Sequence, residues 1–124
     1  TGNNYMLGNL GLGVTSPAAK LQVNGGMIFK RTAIADTDYT ALATDYIIAF
    51  TSLSAQRVLT LPAALCNASN AGRVFVIVNE ASSTSAVSID PEGSATIAGF
   101  ATIELPKYNS TPVYCNGSGN WFIY

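Results

Sequence analysis

Histidine is absent from this chain of 124 residues. Without it, the chain has neither a Ser-His-Asp or Cys-His nucleophilic site nor the usual set of zinc ligands. Catalysis would have to depend on carboxylates, and two pairs lie close in the sequence, Asp36 with Asp38 and Asp90 with Glu92. Each pair has the composition of a glycosidase couple or a calcium site, but acidic residues in such turn-forming stretches are more typical of solvated turns. We therefore expect no enzyme, no metal site and no cofactor.

Charged residues are also few. They make up 10% of the chain, with six Lys and Arg against seven Asp and Glu, whereas an average soluble domain has roughly 25%. No basic run is present to neutralise the phosphates of a nucleic acid, so we expect no nucleic-acid partner. The longest apolar runs, at 46–50 and 74–78, span five residues each, far below the roughly 20 that a membrane helix needs. We therefore expect no membrane insertion.

The chain has only two cysteines, Cys66 and Cys115. They could pair, but neither belongs to a C-x-x-C motif and the neighbours of each suit a small buried thiol. We therefore favour free, buried thiols over a disulfide. The chain begins T-G-N-N, without a positively charged stretch followed by an apolar one. We expect it to carry no signal peptide and to be part of a longer protein.

From residue 31 onward, apolar positions follow a period of two, and turn residues recur about every 8–12 positions, a pattern typical of an all-β sandwich or barrel. We predict one all-β domain over residues 27–124, an antiparallel β-sandwich, with one short helical stretch of at most a turn or two at 63–68 after Pro62. The predicted strands are 27–31, 37–42, 46–51, 57–61, 73–79, 86–90, 95–97, 101–105, 112–116 and 121–124.

The predicted strand at 73–79 is apolar on both faces. Val74, Val76 and Val78 share one face, while Phe75 and Ile77 lie on the other. A strand of this kind is expected to be covered on both sides. Two interpretations stay open: a loop of the same chain covers the second face, or another subunit does.

One loop combines an aromatic ring with an amide. Tyr108 and Asn109 lie between two prolines, and such a pair suits a sugar, whose C–H face packs on the ring while its hydroxyls bond to the amide. We take both as binding candidates, against the alternative of an ordinary exposed loop tyrosine. The aromatic residues of the last strand, Trp121, Phe122 and Tyr124, are expected in core and interface packing instead.

Residues 9–25, with the sequence N-L-G-L-G-V-T-S-P-A-A-K-L-Q-V-N-G, resemble the segment N-V-G-I-G-T-T-S-P-x-A-K-L-H-V-N-G of tail and head fibres of bacteriophages and of related phage-derived bacterial proteins. The chain departs from it at Leu12, Val14 and Gln22, where the family often has Ile, Thr and His. The remainder resembles the fibre-end domain that follows such segments. The blocks that carry this likeness are A-T-D-Y-I-I at 43–48, L-T-L-P at 59–62, G-R-V-F-V-I at 72–77, S-I-D-P-E-G at 88–93 with I-A-G at 97–99, and G-N-W-F-I-Y at 119–124.

The resemblance implies a homotrimer in which strands of three chains wrap a common axis. Residues 1–26 would form a short interwoven β shaft segment ahead of the end domain. Gly11 and Gly13 would let the three backbones approach closely. The apolar residues that this arrangement would bury between chains are Leu10, Leu12, Leu21 and Val23.

The resemblance also implies a function. The chain would be a structural and adhesive component of a virion, a fibre end displayed for attachment to a glycan or protein of the bacterial surface. The part missing at its N-terminus would join other virion proteins, and the fibre would be assembled in the bacterial cytoplasm. The alternatives are a purely structural head-decoration fibre domain and a cellular adhesin or carbohydrate-binding module. A polysaccharide-cleaving tailspike is disfavoured, because the chain is short, lacks histidine and has no convincing acid pair.

Overall fold

The computed structural model describes residues 6–124, so residues 1–5 of the predicted shaft segment lie outside the described residues. The described chain is built of β-strands, with two 3₁₀ turns of three residues each as its helical elements, which confirms the prediction of an all-β fold. The strands are β1 Leu10–Leu12, β2 Leu21–Val23, β3 Arg31–Ile34, β4 Tyr39–Thr40, β5 Ile47–Phe50, β6 Arg57–Leu61, β7 Val74–Asn79, β8 Val87–Pro91, β9 Ile103–Leu105, β10 Ser110–Cys115 and β11 Trp121–Ile123; the 3₁₀ turns are Ala63–Leu65 and Ala68–Asn70.

From β3 to β8 the chain alternates between two sheets. One has five strands in the order β11-β10-β7-β5-β3, and the other has four in the order β4-β6-β8-β9. After each strand of one sheet, the next strand runs back through the other sheet, so the chain re-enters the first sheet at the same end. For this reason β3, β5 and β7 are parallel to one another, and so are β4, β6 and β8. Among the strands of residues 6–124, the antiparallel pairs are β9 with β8, β10 with β7, and β11 with β10. The prediction of an antiparallel fold is therefore wrong: both sheets are mixed, and a period of two reveals which face a residue occupies but not the direction of the neighbouring strand.

Alternate side chains of both sheets meet in a single apolar core. Leu59 and Leu61 of β6 are fully buried while Thr60 between them is half-buried, as the sequence pattern predicts. Trp121 is also fully buried, and its ring stacks on that of Phe75 with 5.6 Å between the ring centroids, which confirms its predicted role in the core.

The two cysteines form a disulfide, and the prediction of free thiols is wrong. Cys66 follows the first 3₁₀ turn, Cys115 ends β10, and their Cα atoms lie 5.2 Å apart, within the usual range for a disulfide. Both residues are buried, as expected. The sequence around each cysteine could not reveal the bond, because the partners are 49 residues apart and meet only through the packing of the two sheets.

Strand boundaries follow the pairing partners more than the apolar pattern. The predicted strand 57–61 has the observed bounds, whereas the strand predicted at 27–31 lies at Arg31–Ile34. Pairing with β5 starts at Arg31, and Met27 and Ile28 before it are exposed. The strand predicted at 95–97 is reduced to isolated bridges at Ile97.

The strand directions define two ends of the domain. The base is the end at which β3, β5 and β7 begin, next to the disulfide and the 116–120 hairpin; residues 24–30 lead into it from β2. The loop end is the opposite one, formed by residues 35–38, 51–56, 80–86 and 106–109. Two contacts join the sheets there: Arg57 Nε donates to Asp36 Oδ1 at 2.8 Å, and Asn79 Nδ2 donates to the carbonyl of Leu105 at 3.1 Å.

Candidate functional site

The predicted binding residues Tyr108 and Asn109 lie at the loop end, between β9 and β10. Their backbone is anchored on the last residue of β7. The amide N–H of Tyr108 donates to the carbonyl of Asn79 at 2.7 Å, and the N–H of Asn79 donates to the carbonyl of Asn109 at 2.9 Å. The loop is therefore held at two points by the centre of the five-stranded sheet.

Tyr108 occupies an unusual backbone conformation. Its φ is +60°, in the left-handed region, which costs a residue other than glycine about 1–2 kcal/mol. The side chain is 67% exposed, and Lys107 Nζ lies 5.6 Å from the ring centroid. The fold thus tolerates an unfavourable backbone at a residue whose ring contributes little to the core. Such strain is often found at ligand-binding positions.

Asn79 was not identified from the sequence as a functional residue, yet it positions this end of the molecule. It is fully buried. Its Nδ2 donates to the carbonyls of Ser85 and Leu105, both at 3.1 Å, and its Oδ1 accepts from the N–H of Ala81 at 3.1 Å. The sequence did contain one indication of this role: Asn79 is a polar residue on the same strand face as the apolar Phe75 and Ile77. An amide buried at such a position needs fixed hydrogen-bond partners.

A cleft of about 300 Å³ opens at the loop end beside β3 and β5, lined by Asp36, Thr51, Ser52, Leu53, Ser54, Ser82 and Ser83. Asp36 is the charged residue of this lining. Its Oδ1 accepts from Arg57 Nε at 2.8 Å and from the N–H of Ser54 at 3.0 Å. Hydrogen bonds from Arg57 and from Ser54 hold the pKa of Asp36 far below its usual value, so the carboxyl is ionised at neutral pH.

Two of the other carboxylates singled out in the sequence, Asp38 and Glu92, bind backbone N–H groups. Asp38 Oδ1 accepts from the N–H of Val58 at 2.9 Å, and Glu92 Oε2 accepts from the N–H of Ala63 at 2.8 Å. These bonds hold loops against β6 and the first 3₁₀ turn. Within residues 6–124, no group of three or more Cys, Asp or Glu side chains is placed to hold a metal ion.

Asp45 is a buried carboxylate at the base. It accepts hydrogen bonds from Thr32 Oγ1 at 2.6 Å, Tyr39 Oη at 2.9 Å, the N–H of Leu42 at 2.9 Å and Lys30 Nζ at 3.1 Å. Burial alone would raise the pKa of Asp45, but these bonds outweigh it and the pKa is lowered. Burial, together with the bond to Asp45, raises the pKa of Tyr39 to about 12. The network ties β3, β4 and the start of β5 together, so we assign it a structural role.

The four predicted interface residues lie on one face of the small sheet β1–β2. This sheet is parallel, and its register pairs Leu10 with Leu21 and Leu12 with Val23. Leu10, Leu12 and Leu21 are 37%, 51% and 53% exposed, and Val23 is half-buried. The segment therefore presents an apolar row that the chain itself leaves uncovered.

The glycines of this segment are required within one chain. A Cβ on Gly11 would lie 2.3 Å from the carbonyl oxygen of Val14, and Gly13 has a φ of +72°. The turn after β1 therefore requires glycine at both positions by itself. A close approach of three backbones is not needed to explain why these two residues are glycines.

The second face of β7 is incompletely covered. Phe75 and Ile77 are fully buried, whereas Val74, Val76 and Val78 are half-buried. We call this second side of the five-stranded sheet the outer face; by strand register it also carries Ile47, Pro112, Tyr114 and Phe122. The rings of Tyr124 and Phe122 contact that of Tyr114, and Phe122 and Tyr124 are 39% and 64% exposed.

The part of the chain that the structure describes contains no helix of the length and apolarity needed to cross a membrane. No family model, curated protein or solved structure matches this chain.

Proposed function

We propose that this chain is the end of a bacteriophage fibre, a homotrimer in which the two large sheets of each chain pack as a sandwich, displayed on the virion for attachment to the bacterial surface. The observation that carries the proposal is the division of the molecule into two ends. The exposed apolar row of β1–β2 precedes the base, whereas Tyr108, Asn109 and the Asp36 cleft lie at the loop end. A fibre end needs this order: contacts between copies on the shaft side, and polar loops at the far side.

The small sheet β1–β2 supports self-assembly. Two strands of three residues are too few to be stable alone in water. Burying a leucine or valine contributes about 1.5–3 kcal/mol, so three copies of the row Leu10, Leu12, Leu21 and Val23 would supply the missing stability by packing together. The outer face adds further apolar surface, so that of the two interpretations for β7 we favour a second subunit over a covering loop.

The loop end supports a role in attachment. Its exposed groups include one aromatic ring, amides and hydroxyls, which suit a glycan or a polar protein surface, alongside the charged side chains of Asp38, Glu80 and Lys107. Three copies on one fibre would engage a surface together, so that a weak contact per chain gives strong attachment. The low charge of the chain reduces non-specific binding.

The first test is the molar mass of the 124-residue chain in solution, by light scattering after size exclusion. We expect about three times the chain mass of 12.9 kDa. A monomer at high protein concentration would contradict the trimer.

The second test is adhesion of fluorescent trimer to a panel of bacteria, comparing Tyr108→Gly with Ala98→Gly. Ala98 is a matched control, because it is also exposed with a positive φ, +52°, but lies at the base. Tyr108→Gly should lose adhesion and Ala98→Gly should keep it. Equal adhesion of the two variants would remove Tyr108 from the contact site.

One observation favours a second candidate, a cellular adhesin or carbohydrate-binding module. The Cys66–Cys115 disulfide is typical of proteins that mature in an oxidising compartment, whereas the bacterial cytoplasm keeps thiols reduced. For a phage fibre the bond would have to form after release from the cell. Protein made in the bacterial cytoplasm and purified under thiol-blocking conditions separates the two: a reduced chain that already forms trimers fits a fibre, and a chain that folds only on export fits the adhesin.

A further inference from the structure

We propose that the Asp36 cleft at the loop end binds a neutral polyol, the size of one sugar ring, as part of the surface recognition proposed above. The inference deepens that function and rests on it for biological meaning, but the binding itself is tested independently. The cleft contains groups that the protein's own folding does not use fully, and their chemistry specifies the ligand.

The first of these groups is the carboxylate of Asp36. The hydrogen bonds from Arg57 Nε and from the N–H of Ser54 both end on Oδ1, and the Ser54 side chain also bonds to the carboxylate; because a carboxylate can accept about four hydrogen bonds, part of that capacity is left unused. The Asp36 side chain is 33% exposed and lines the cleft. An ionised carboxylate oxygen can only accept, so it calls for a ligand that donates, such as a hydroxyl.

The second group is a set of serine hydroxyls. Ser52 and Ser82 are exposed, and their hydroxyls make no hydrogen bond to residues 6–124; Ser83 Oγ accepts from the N–H of Ser85 and keeps its own proton available. A hydroxyl both donates and accepts, as does each hydroxyl of a sugar. The buried Leu53 completes the floor with an apolar surface, and the volume of about 300 Å³ is at the lower end for small-molecule sites.

Charge selects a neutral ligand. The negative charge of Asp36 disfavours phosphates and acidic sugars, because their own negative charge is repelled by the carboxylate. Its pairing with Arg57 at 2.8 Å offsets that charge, which reduces the attraction for an amine or a metal cation. A ligand rich in hydroxyls and without net charge satisfies both conditions.

The experiment is a titration of the isotope-labelled, oxidised full chain, followed through backbone amide NMR shifts. The probes are glucose, galactose, mannose, rhamnose and N-acetylglucosamine with their β-linked dimers, and the charged comparators are glucuronic acid and glucosamine. We expect at least one neutral sugar to shift the amides of residues 51–54 and 82–83 in a saturable way. Glucuronic acid and glucosamine should cause weaker shifts there.

Two conservative variants test whether the sugar binds in the Asp36 cleft. Ser52→Ala and Ser82→Ala remove hydroxyls that the fold does not use, and each should weaken binding by about threefold or more. Ser118→Ala is the matched control, since Ser118 is exposed in the hairpin at the base. Asp36→Asn, which replaces an acceptor by a donor, should weaken binding more strongly, and its circular dichroism checks that the fold is retained.

Three results would overturn the inference: no saturable shift at 51–54 and 82–83 with any neutral sugar, stronger binding of a charged comparator, or equal loss of affinity in Ser118→Ala. The results that would refute the proposed fibre-end function are different from these three. A chain that binds a neutral sugar in the cleft but is monomeric and does not adhere to bacteria would keep this inference and refute the fibre end.

Discussion

The disulfide between Cys66 and Cys115 allows the most quantitative prediction. It closes a loop of 49 residues. If the bond stabilises the fold by restricting the unfolded chain, the loop-closure entropy for this length corresponds to about 4 kcal/mol at 25 °C. Since domains of this size are stable by about 5–15 kcal/mol, reduction should remove a large fraction of the free energy of unfolding.

The contacts that the two cysteines make in the folded protein add little to this loop-closure stabilisation. Both side chains are buried, Cys115 Sγ accepts a weak bond from the N–H of Gly117 at 3.2 Å, and Cys66 Sγ lies 3.3 Å from the carbonyl oxygen of Asn120. Reduction retains both sulfur atoms and breaks only the bond between them, so it tests the cross-link more directly than a substitution does. The double variant Cys66→Ala/Cys115→Ala also leaves a small cavity and should be destabilised by slightly more than the reduced protein.

The assay is urea unfolding of oxidised and reduced protein at one fixed concentration, because the stability of the proposed trimer would depend on concentration. In a thermal scan the same difference should lower the midpoint on the order of 15 °C. The single variant Cys66→Ala is the control, since its stability should not respond to reductant.

Two outcomes would refute this reasoning. A thiol reagent that labels both cysteines of the unfolded protein without reductant would show that the bond does not form. A difference below about 1 kcal/mol between the oxidised and reduced forms would show that the unfolded chain is already restricted in this region, so that loop closure contributes little.

Four further predictions follow from single residues. Leu12→Asp should dissociate the oligomer, whereas Thr15→Asp, at an exposed polar position of the same segment, should not; the molar mass by light scattering decides. Asp45→Asn should lower the free energy of unfolding by about 2–4 kcal/mol, because it leaves buried donors without their carboxylate, and urea unfolding measures this. Folding lowers the pKa values of Asp36 and Asp45, so the stability that these carboxylates contribute is complete above the ordinary aspartate pKa of about 3.9 and is lost as the pH falls through their folded-state pKa values. The free energy of unfolding, measured from pH 7 to pH 2, should therefore begin to decrease at about pH 4. In Asp45→Asn it should decrease less steeply. Tyr108→Gly should leave the thermal midpoint unchanged or higher, because relief of the left-handed backbone offsets the greater flexibility of the unfolded chain, and calorimetry against Ala98→Gly tests it.

The sequence predicts those features that depend on local alternation. The strand at 57–61 and the burial of Leu59, Leu61, Phe75 and Ile77 follow from a period of two, which links each residue to one face. The pattern also shows that Val74, Val76 and Val78 form a second apolar face, and the structure places these residues half-buried on the outer face. Local alternation is present in any single strand, so no partner strand is needed to detect it.

Features that depend on partners distant in the sequence were missed. The parallel pairing of β3, β5 and β7 arises because β4 and β6 belong to the other sheet, and no local pattern records this. The same holds for the disulfide. For the site, Tyr108 and Asn109 were chosen from the loop composition, but the contribution of Asn79 and the cleft around Asp36 required strand ends from both sheets to meet.

The two ends of the molecule differ in what their exposed side chains require. Exposure of Leu10, Leu12 and Leu21 to water is unfavourable, and contact with another apolar surface would relieve it. The same apolar row on a second copy of the chain is the simplest such surface. At the loop end, exposed hydroxyls and the partly exposed carboxylate of Asp36 form hydrogen bonds with water in the absence of a ligand, and a ligand must replace those bonds one for one. Assembly at the first end can therefore be strong and permanent, while each contact at the second stays weak. A trimer that presents three such weak contacts at once would hold a surface firmly and still release any single site.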